Sequence, residues 1–327
     1  MKNTFRAEII SDTISPLWRE NRLITMVVNF PRYILPEVNT HRVFSRNSAS
    51  SRARSIRDTI TQVMEDPYIP IFTRNQKGMS GEKLSGEAYE SAKRYWLHSR
   101  NEAVKGALSL LVGAGYNGSI KFWREWIDTY YEAIYNTEKS TPMIPNVHKQ
   151  NVNRLLEPFM WHEAIITSSY WDNFFDLRLS PQAQPEIQVL ARKMKKAIDD
   201  SEPVRSSVHI PFVDVKKGNL YSSDEIGRMM MISAARCAKI SYHNTEDQKQ
   251  ADDESLIAMA TKLYRNGHMS PFEHQAMATD IDPMFMSMLD FSGNLYPTWA
   301  QFRHILMNQT TRDRFVGSLN LTGETNV

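Results

Sequence analysis

The feature that most constrains this chain is the stretch Asn39–Arg54, Asn-Thr-His-Arg-Val-Phe-Ser-Arg-Asn-Ser-Ala-Ser-Ser-Arg-Ala-Arg. It holds His41, four arginines (Arg42, Arg46, Arg52, Arg54) and Ser45, Ser48, Ser50 and Ser51, and no acid occurs between Glu37 and Asp58. The next residues, Ser55–Glu65, put Ile56, Ile60, Val63 and Met64 on one face of a helix, and Ser55 with Asp58 forms a capping pair. A Ser/Arg-rich loop therefore runs into a helix N-terminus, where free N–H groups and the helix dipole favour an anion. Arginine forks and serine hydroxyls bind phosphate oxygens well. The residues by themselves leave three readings open: a phosphate-binding loop, a solvated loop, or a contact to nucleic-acid backbone.

The remainder of the chain narrows these. Its 327 residues carry a net charge of only +2, so the basic loop is local and a general nucleic-acid binder is disfavoured. The single cysteine, Cys237, rules out an internal disulfide and a cysteine-based zinc site, and reads as a buried structural thiol. No run of about 18 apolar residues occurs, so no membrane span is expected. Met1–Ile9 has no apolar leader core, and a cytoplasmic location is expected. His268, Glu273 and His274 match no strong zinc spacing, so no metal is expected.

Hydrophobic periodicity predicts strands at Phe5–Ile10 and Leu23–Phe30, with Pro31 and Pro36 breaking further pairing. Helices are predicted at Tyr89–Val112 and at Phe122–Tyr135, the latter with a stripe of Phe122, Trp126, Tyr130 and Ile134. Val147–Asp176 reads as helix in two pieces around Pro158, and Glu186–Ile198 as a further helix. A strand at His209–Val215, helices at Arg228–Ala238 and Leu256–Tyr264, the latter capped by Gly267, and a strand at Gln275–Thr279 follow. The tail beyond Thr310 is expected to fray. The mixture predicts an α/β (α+β) fold of a mixed sheet flanked by helices, with no clean linker, so residues 1–327 are taken as one domain.

The order of residues adds a resemblance. Thr40-His41-Arg42-x-x-Ser45-x-Asn47-x-x-Ser50-x-Arg52 resembles the signature of the flavin-dependent thymidylate synthases. Asn153–Pro158 resembles that family's second arginine element. Asn173–Arg178, with Gln184 and Glu186, resembles its Asn-Phe-x-x-Leu-Arg element. Ala234–Ser241 with Asn266–His274 resembles its Ala-Arg-Val-Ser…Pro-Phe-Glu-His element. In the family that last element precedes the His-Arg loop; here it follows, which resembles a circular permutation with the flavin-binding segment moved to 228–280. A helical insertion is expected near 113–144. Large permuted members of this kind resemble bacteriophage proteins, which would place this one in the host cytoplasm.

The resemblance implies reductive methylation of dUMP at C5, with FAD as cofactor, NADPH and methylene-tetrahydrofolate as co-substrates, and a homotetramer with shared active sites. By motif position, Ser48, Ser50, Arg52 and Arg154 would bind the nucleotide, its phosphate above all, and Arg178 would be the catalytic residue that orients the pyrimidine. His41, Arg42, Val43, Asn47, Asn173, Ser241, His268, Ser270 and Glu273 would line the FAD site. The chain departs from the family pattern at Thr40 (usually Arg), Ser48 (usually Glu), Glu37 (usually Gln), and Thr167 and Ser169 (often Asn and Arg). These departures leave room for another pyrimidine nucleotide such as dCMP, for hydroxymethyl transfer, or for a non-catalytic nucleotide or nucleic-acid binder.

Overall fold

In the computed structural model, residues 3–17, 21–51, 54–78, 80–112, 119–136, 146–215, 220–240, 251–280, 294–295, 298–319 and 321 are described. In chain order, β1 (Arg6–Ile14) and β2 (Arg22–Pro31) lead to α1 (Leu35–Asn39), β3 (Ser45–Ser48) and α2 (Ile56–Glu65). Next come α3 (Gly86–Val112), α4 (Trp123–Asn136), α5 (Lys149–Val152), β4 (Trp161–Ser168), α6 (Asp172–Arg178) and α7 (Pro185–Asp199). The rest comprises β5 (Val204–Arg205), β6 (Val208–His209), α8 (Ser223–Ala238), α9 (Asp253–Arg265), β7 (Ala276–Ala278), β8 (Trp299–Gln301), α10 (Phe302–Met307) and α11 (Gln309–Val316).

Two sheets result, a five-stranded one in the order β3-β4-β2-β1-β5 and a three-stranded one in the order β6-β7-β8. β2 is covered on both faces, which is why it reads as an almost unbroken apolar run. Ile24, Met26, Val28 and Phe30 pack with Ile187, Leu190 and Met194 of α7. On the other face Val27 meets Ile165 and Cys237, and Leu23 meets Ala276 and Trp299. Cys237 is a free thiol with no exposed surface, and burial holds its proton on well above the usual range. Pro31 does not end the pairing: it stays in register with Trp161, and the Arg32 N–H donates to the Met160 carbonyl at 2.9 Å.

Four expectations are corrected. Trp161–Ser168 is a central strand, antiparallel to both β2 and β3, and not helix. Its residues are buried on both faces, so it shows no alternation to distinguish it from a short buried helix. The predicted strand His209–Val215 is only Val208–His209; Pro211 has no N–H to give a ladder, and the chain turns with the Val213 N–H on the Ile210 carbonyl. Of the stripe expected in α4, Tyr130 is buried and Trp126 packs on the same core beside Trp123 and Ile127, while Phe122 departs from it at 49% exposed. The tail beyond Thr310 is helical through α11, where Phe315 and Val316 are buried against α8. Of the expected insertion, residues 113–118 and 137–144 lie outside the described residues; α4 packs with α2 and α3 through Ile60, Leu108, Leu111 and Ile127.

A chain of buried polar groups crosses from the small sheet into the large one. Thr13 Oγ1 lies 2.8 Å from His209 Nδ1, and His209 Nε2 lies 2.8 Å from Thr25 Oγ1. Thr25 Oγ1 is 2.6 Å from Thr167 Oγ1, which is 2.8 Å from His274 Nδ1. Burial holds both imidazoles neutral, with pKa values lowered to about 3. Thr167, one of the departures from the family pattern, is thus a link inside the core.

Candidate active site

The site forms at the β3 edge of the large sheet. Polar Ser45–Ser48 gives little strand signal, yet it pairs antiparallel with β4, Ser45 opposite Thr167 and Ser48 opposite Ala164. The Ser/Arg stretch is therefore a loop, an edge strand and a second loop. Ser55 caps α2 by accepting from the Asp58 N–H at 3.0 Å, as its sequence implies.

His41, 7% exposed, leads into this strand against Phe44 and Phe174. Arg178, at the last turn of α6, donates from Nε to His41 Nε2 at 2.9 Å and from Nη2 to Thr40 Oγ1 at 2.8 Å. An arginine can only donate, so His41 Nε2 is an acceptor and the ring proton sits on Nδ1. Burial first, then the Arg178 and Arg46 charges, lower the His41 pKa to about 4, so it is neutral at pH 7. Arg46 is itself fixed by donation to the carbonyls of Val38 at 3.1 Å and His41 at 3.3 Å.

The far-downstream element meets β3 directly. Gly267, at φ +73°, ends α9 with its N–H on the Tyr264 carbonyl and the His268 N–H on the Leu263 carbonyl, each at 2.9 Å. This turn leads through the 3-10 segment Ser270–Glu273, whose Ser270 Oγ reaches Asn47 Oδ1 at 3.5 Å. Asn47 also donates to the Cys237 carbonyl at 2.8 Å. Glu273 pairs with Arg303. Gln301, 1% exposed, lies 3.1 Å from Ser45 Oγ, 3.0 Å from the Glu273 carbonyl and 2.9 Å from Asn294 Oδ1, joining three segments.

At the other end of β3, Asn153 donates to the carbonyls of Ser51 at 2.7 Å and Arg54 at 3.1 Å. Glu157 accepts from Ser51 Oγ at 2.6 Å and pairs with Arg32 at 2.9 Å. Arg32 also donates to the Ala49 carbonyl at 3.3 Å. The second arginine element thus holds the loop, and it carries the exposed Arg154 beside it.

Part of the sequence-derived set meets: Arg178 contacts His41, and Ser270 contacts Asn47. Glu273 shares the 3-10 segment of Ser270 and is tied through Gln301 to Ser45 of β3. Ser48 and Ser50 are half-buried between the two ends; Arg42, Val43, Asn173 and His268 are exposed on the same elements. Arg52 and Ser241 lie outside the described residues. No group of three potential metal ligands occurs among the described residues, and His274 Nδ1 is engaged by Thr167. Sequence reasoning missed Arg46 as a site residue, and it missed Gln301 and Arg303, which lie in no recognised motif. A cleft of about 680 Å³, lined by Ile9 to Thr13 of β1 and by Val204, Ser206, Val208, Val213 and Ile226, contains none of these side chains.

The model of the thymidylate synthase complementing protein family matches residues 18–204, more than half of the chain. The chain belongs to the flavin-dependent thymidylate synthase family. The matched span includes the His-Arg loop and Arg178, and ends before the Ser270–His274 element. Among solved structures, the chain is similar to the UMP/dUMP methylase PolB from Streptomyces cacaoi bound with 5-Br UMP. The identity is 13% over 60% of this chain and 89% of that one, with a TM-score of 0.42. It is also similar to Thymidylate Synthase X (ThyX) from Helicobacter pylori with FAD and dUMP, at 18% identity over 54% of this chain and 67% of that one, TM-score 0.25. The comparison with curated proteins finds no match.

Proposed function

We propose that this protein is a flavin-dependent nucleotide C5-methyltransferase that converts dUMP to its 5-methyl product, with FAD bound and with NADPH and methylene-tetrahydrofolate as co-substrates. The observation that carries this reading is the meeting of three distant elements around β3: Arg178 on His41, Ser270 on Asn47, and Asn153 on the carbonyls of Ser51 and Arg54. The donor set fits a flavin dinucleotide: guanidinium groups for phosphate, amide and hydroxyl groups for ring edges, and the exposed apolar Val43 for a ring face. His41, Arg42, Val43, Asn47, Asn173, Ser241, His268, Ser270 and Glu273 would hold it. When bound, the flavin supplies the reducing equivalents that complete a methyl group.

The chain's own residues supply orientation. Neutral His41 fixes the Arg178 fork, which faces the pyrimidine oxygens, while Ser48, Ser50, Arg52 and Arg154 hold the nucleotide and its phosphate. A permuted arrangement, with 228–280 in the place the family gives to an earlier segment, belongs to the same reading, as does a homotetramer with shared sites. No helix of the described residues is long and apolar enough to cross a membrane.

Arg178 also engages Thr40, where the family pattern has arginine, and this favours a second acceptor, such as dCMP, as the alternative. The deciding experiment is the absorption spectrum of the purified protein, followed by oxidation of the reduced flavin with a nucleotide panel. Flavin bands with dUMP-dependent oxidation are expected. Turnover with dCMP alone replaces the substrate, and a colourless protein with salt-sensitive nucleic-acid binding overturns the reading altogether.

A further inference from the structure

We propose that Arg303, with Arg46, forms a diphosphate-binding site for the dinucleotide cofactor, using a side chain from outside the family-matched span to supply the cation that Thr40 and Ser169 lack. This rests on the flavin reading above. Three observations carry it. Arg303 and Glu273 form an ion pair, and Arg46 faces the same carboxylate electrostatically. One carboxylate thus stands against two guanidinium groups, with Arg178 close by on His41. The excess positive charge reaches His41, whose pKa is lowered by Arg46 and Arg178 after burial.

The second observation is a donor that still lacks an acceptor. Arg303 Nε is buried and, among the described residues, has no hydrogen-bond partner, so the guanidinium is only partly used by Glu273. The side chain as a whole keeps 37% of its surface exposed, so an anion can reach its fork. Third, the position is rigid. Arg303 follows Gln301 by two residues, and the buried Gln301 amide ties that segment to Ser45, Glu273 and Asn294. A preorganised arginine loses little freedom on binding a phosphate.

The ligand chemistry follows from spacing. The proposed function gives the nucleotide phosphate to Ser50, Arg52 and Arg154; Ser50 follows β3 in sequence, and Arg154 adjoins Asn153, which holds the Ser51 carbonyl. Arg46 and Ser50 are four residues apart, about 13 Å along an extended chain. The Arg46 guanidinium turns away from Ser50 toward the Val38 and His41 carbonyls, so the Arg46–Arg303 pair, which shares Glu273, serves a second anion, and two cations match two linked phosphates.

The test compares FAD with riboflavin, which has the same ring and no phosphate. Arg303→Gln is expected to weaken FAD binding about tenfold or more and to leave riboflavin binding within about twofold. Arg303→Lys, keeping charge without the fork, should fall between. In the wild-type protein, the Arg303 Nε–H resonance should shift on addition of inorganic diphosphate, a readout that does not depend on how a variant folds. FAD bound equally by wild type and Arg303→Gln, equal weakening of both ligands, or a resonance unmoved by diphosphate would overturn the inference. Wild-type protein that takes up no flavin overturns the flavin reading instead, and the diphosphate shift then decides the anion site separately.

Discussion

The smallest unit of the site is a pair, His41 and Arg178. Each was marked in the sequence by its motif, but the marks could not say that one fixes the other. The physics does so through proton bookkeeping: Arg178 donates, so His41 must accept and be neutral. Burial, Arg178 and Arg46 all push the His41 pKa the same way, down to about 4. Arg178→Ala removes one charge and one donor, so the His41 pKa should rise from about 4 yet stop short of the ordinary 6.5, because burial remains. Arg178→Lys keeps the charge and should hold His41 closer to 4. Titration of the ring by NMR checks both, and an unmoved pKa in Arg178→Ala would show that Arg178 exerts no field there. By contrast Arg303 was illegible, because its partner Glu273 lies far away in sequence and a lone arginine in Gln301–His304 carries no local signal. Thr167 was legible only as a departure; its partners Thr25 and His274 show that its hydroxyl completes a buried chain.

Elements were legible where one face met water. α2, α3 and α7 showed their apolar stripes and formed within a few residues of expectation. β4 was missed because a strand buried on both faces loses its alternation, and β3 because its polar side chains are held by β4 and not by propensity. α11 was missed for a related reason: its stability comes from α8, which the local sequence does not display. That packing makes a sharp prediction. Gly227 of α8 lies against the backbone of Phe315, and a Cβ there would overlap the Phe315 carbonyl, which cannot swing aside as a side chain would. Gly227→Ala should therefore cost about 3 kcal/mol despite the gain in helix propensity. Gly317→Ala, where a Cβ meets nothing within 4 Å, should be nearly neutral. Urea denaturation of both variants measures the difference; equal stability would mean that α11 does not dock on Gly227.

At the scale of the molecule, the core is joined by neutral histidines. His209 and His274 link the two sheets, and His162 accepts from Arg32 at 3.0 Å beneath the Ala49 end of the loop. Burial lowers all three to about 3, with Arg32 and Arg54 adding to the effect at His162, while His41 stands at about 4. In the unfolded chain each returns to about 6.5. As the pH falls below about 6.5, the unfolded state takes up protons that the folded state refuses, so stability declines with pH. The loss begins near 6.5, and each group adds up to about 1.4 kcal/mol per pH unit until its folded value is reached. Urea midpoints should therefore drop steeply from pH 7 to pH 5 at constant slope. Ring resonances of His162, His209 and His274 should not titrate above pH 5. Stability that is flat across this range, or a titration near 6.5 in any of the three, would show that these rings are hydrated. The joint between the sheets would then rest on apolar contacts such as Val27–Cys237 and Leu23–Trp299. Because the same joint sets Ser270–Glu273 against β3, acid should release the β3 contacts of Asn47 and Gln301 before α7, whose Ile187, Leu190 and Met194 pack on the face of β2 opposite to Thr25 and its partner His209. Amide exchange at pH 5 in Ser45–Ser48 and in α7 distinguishes that order from uniform unfolding.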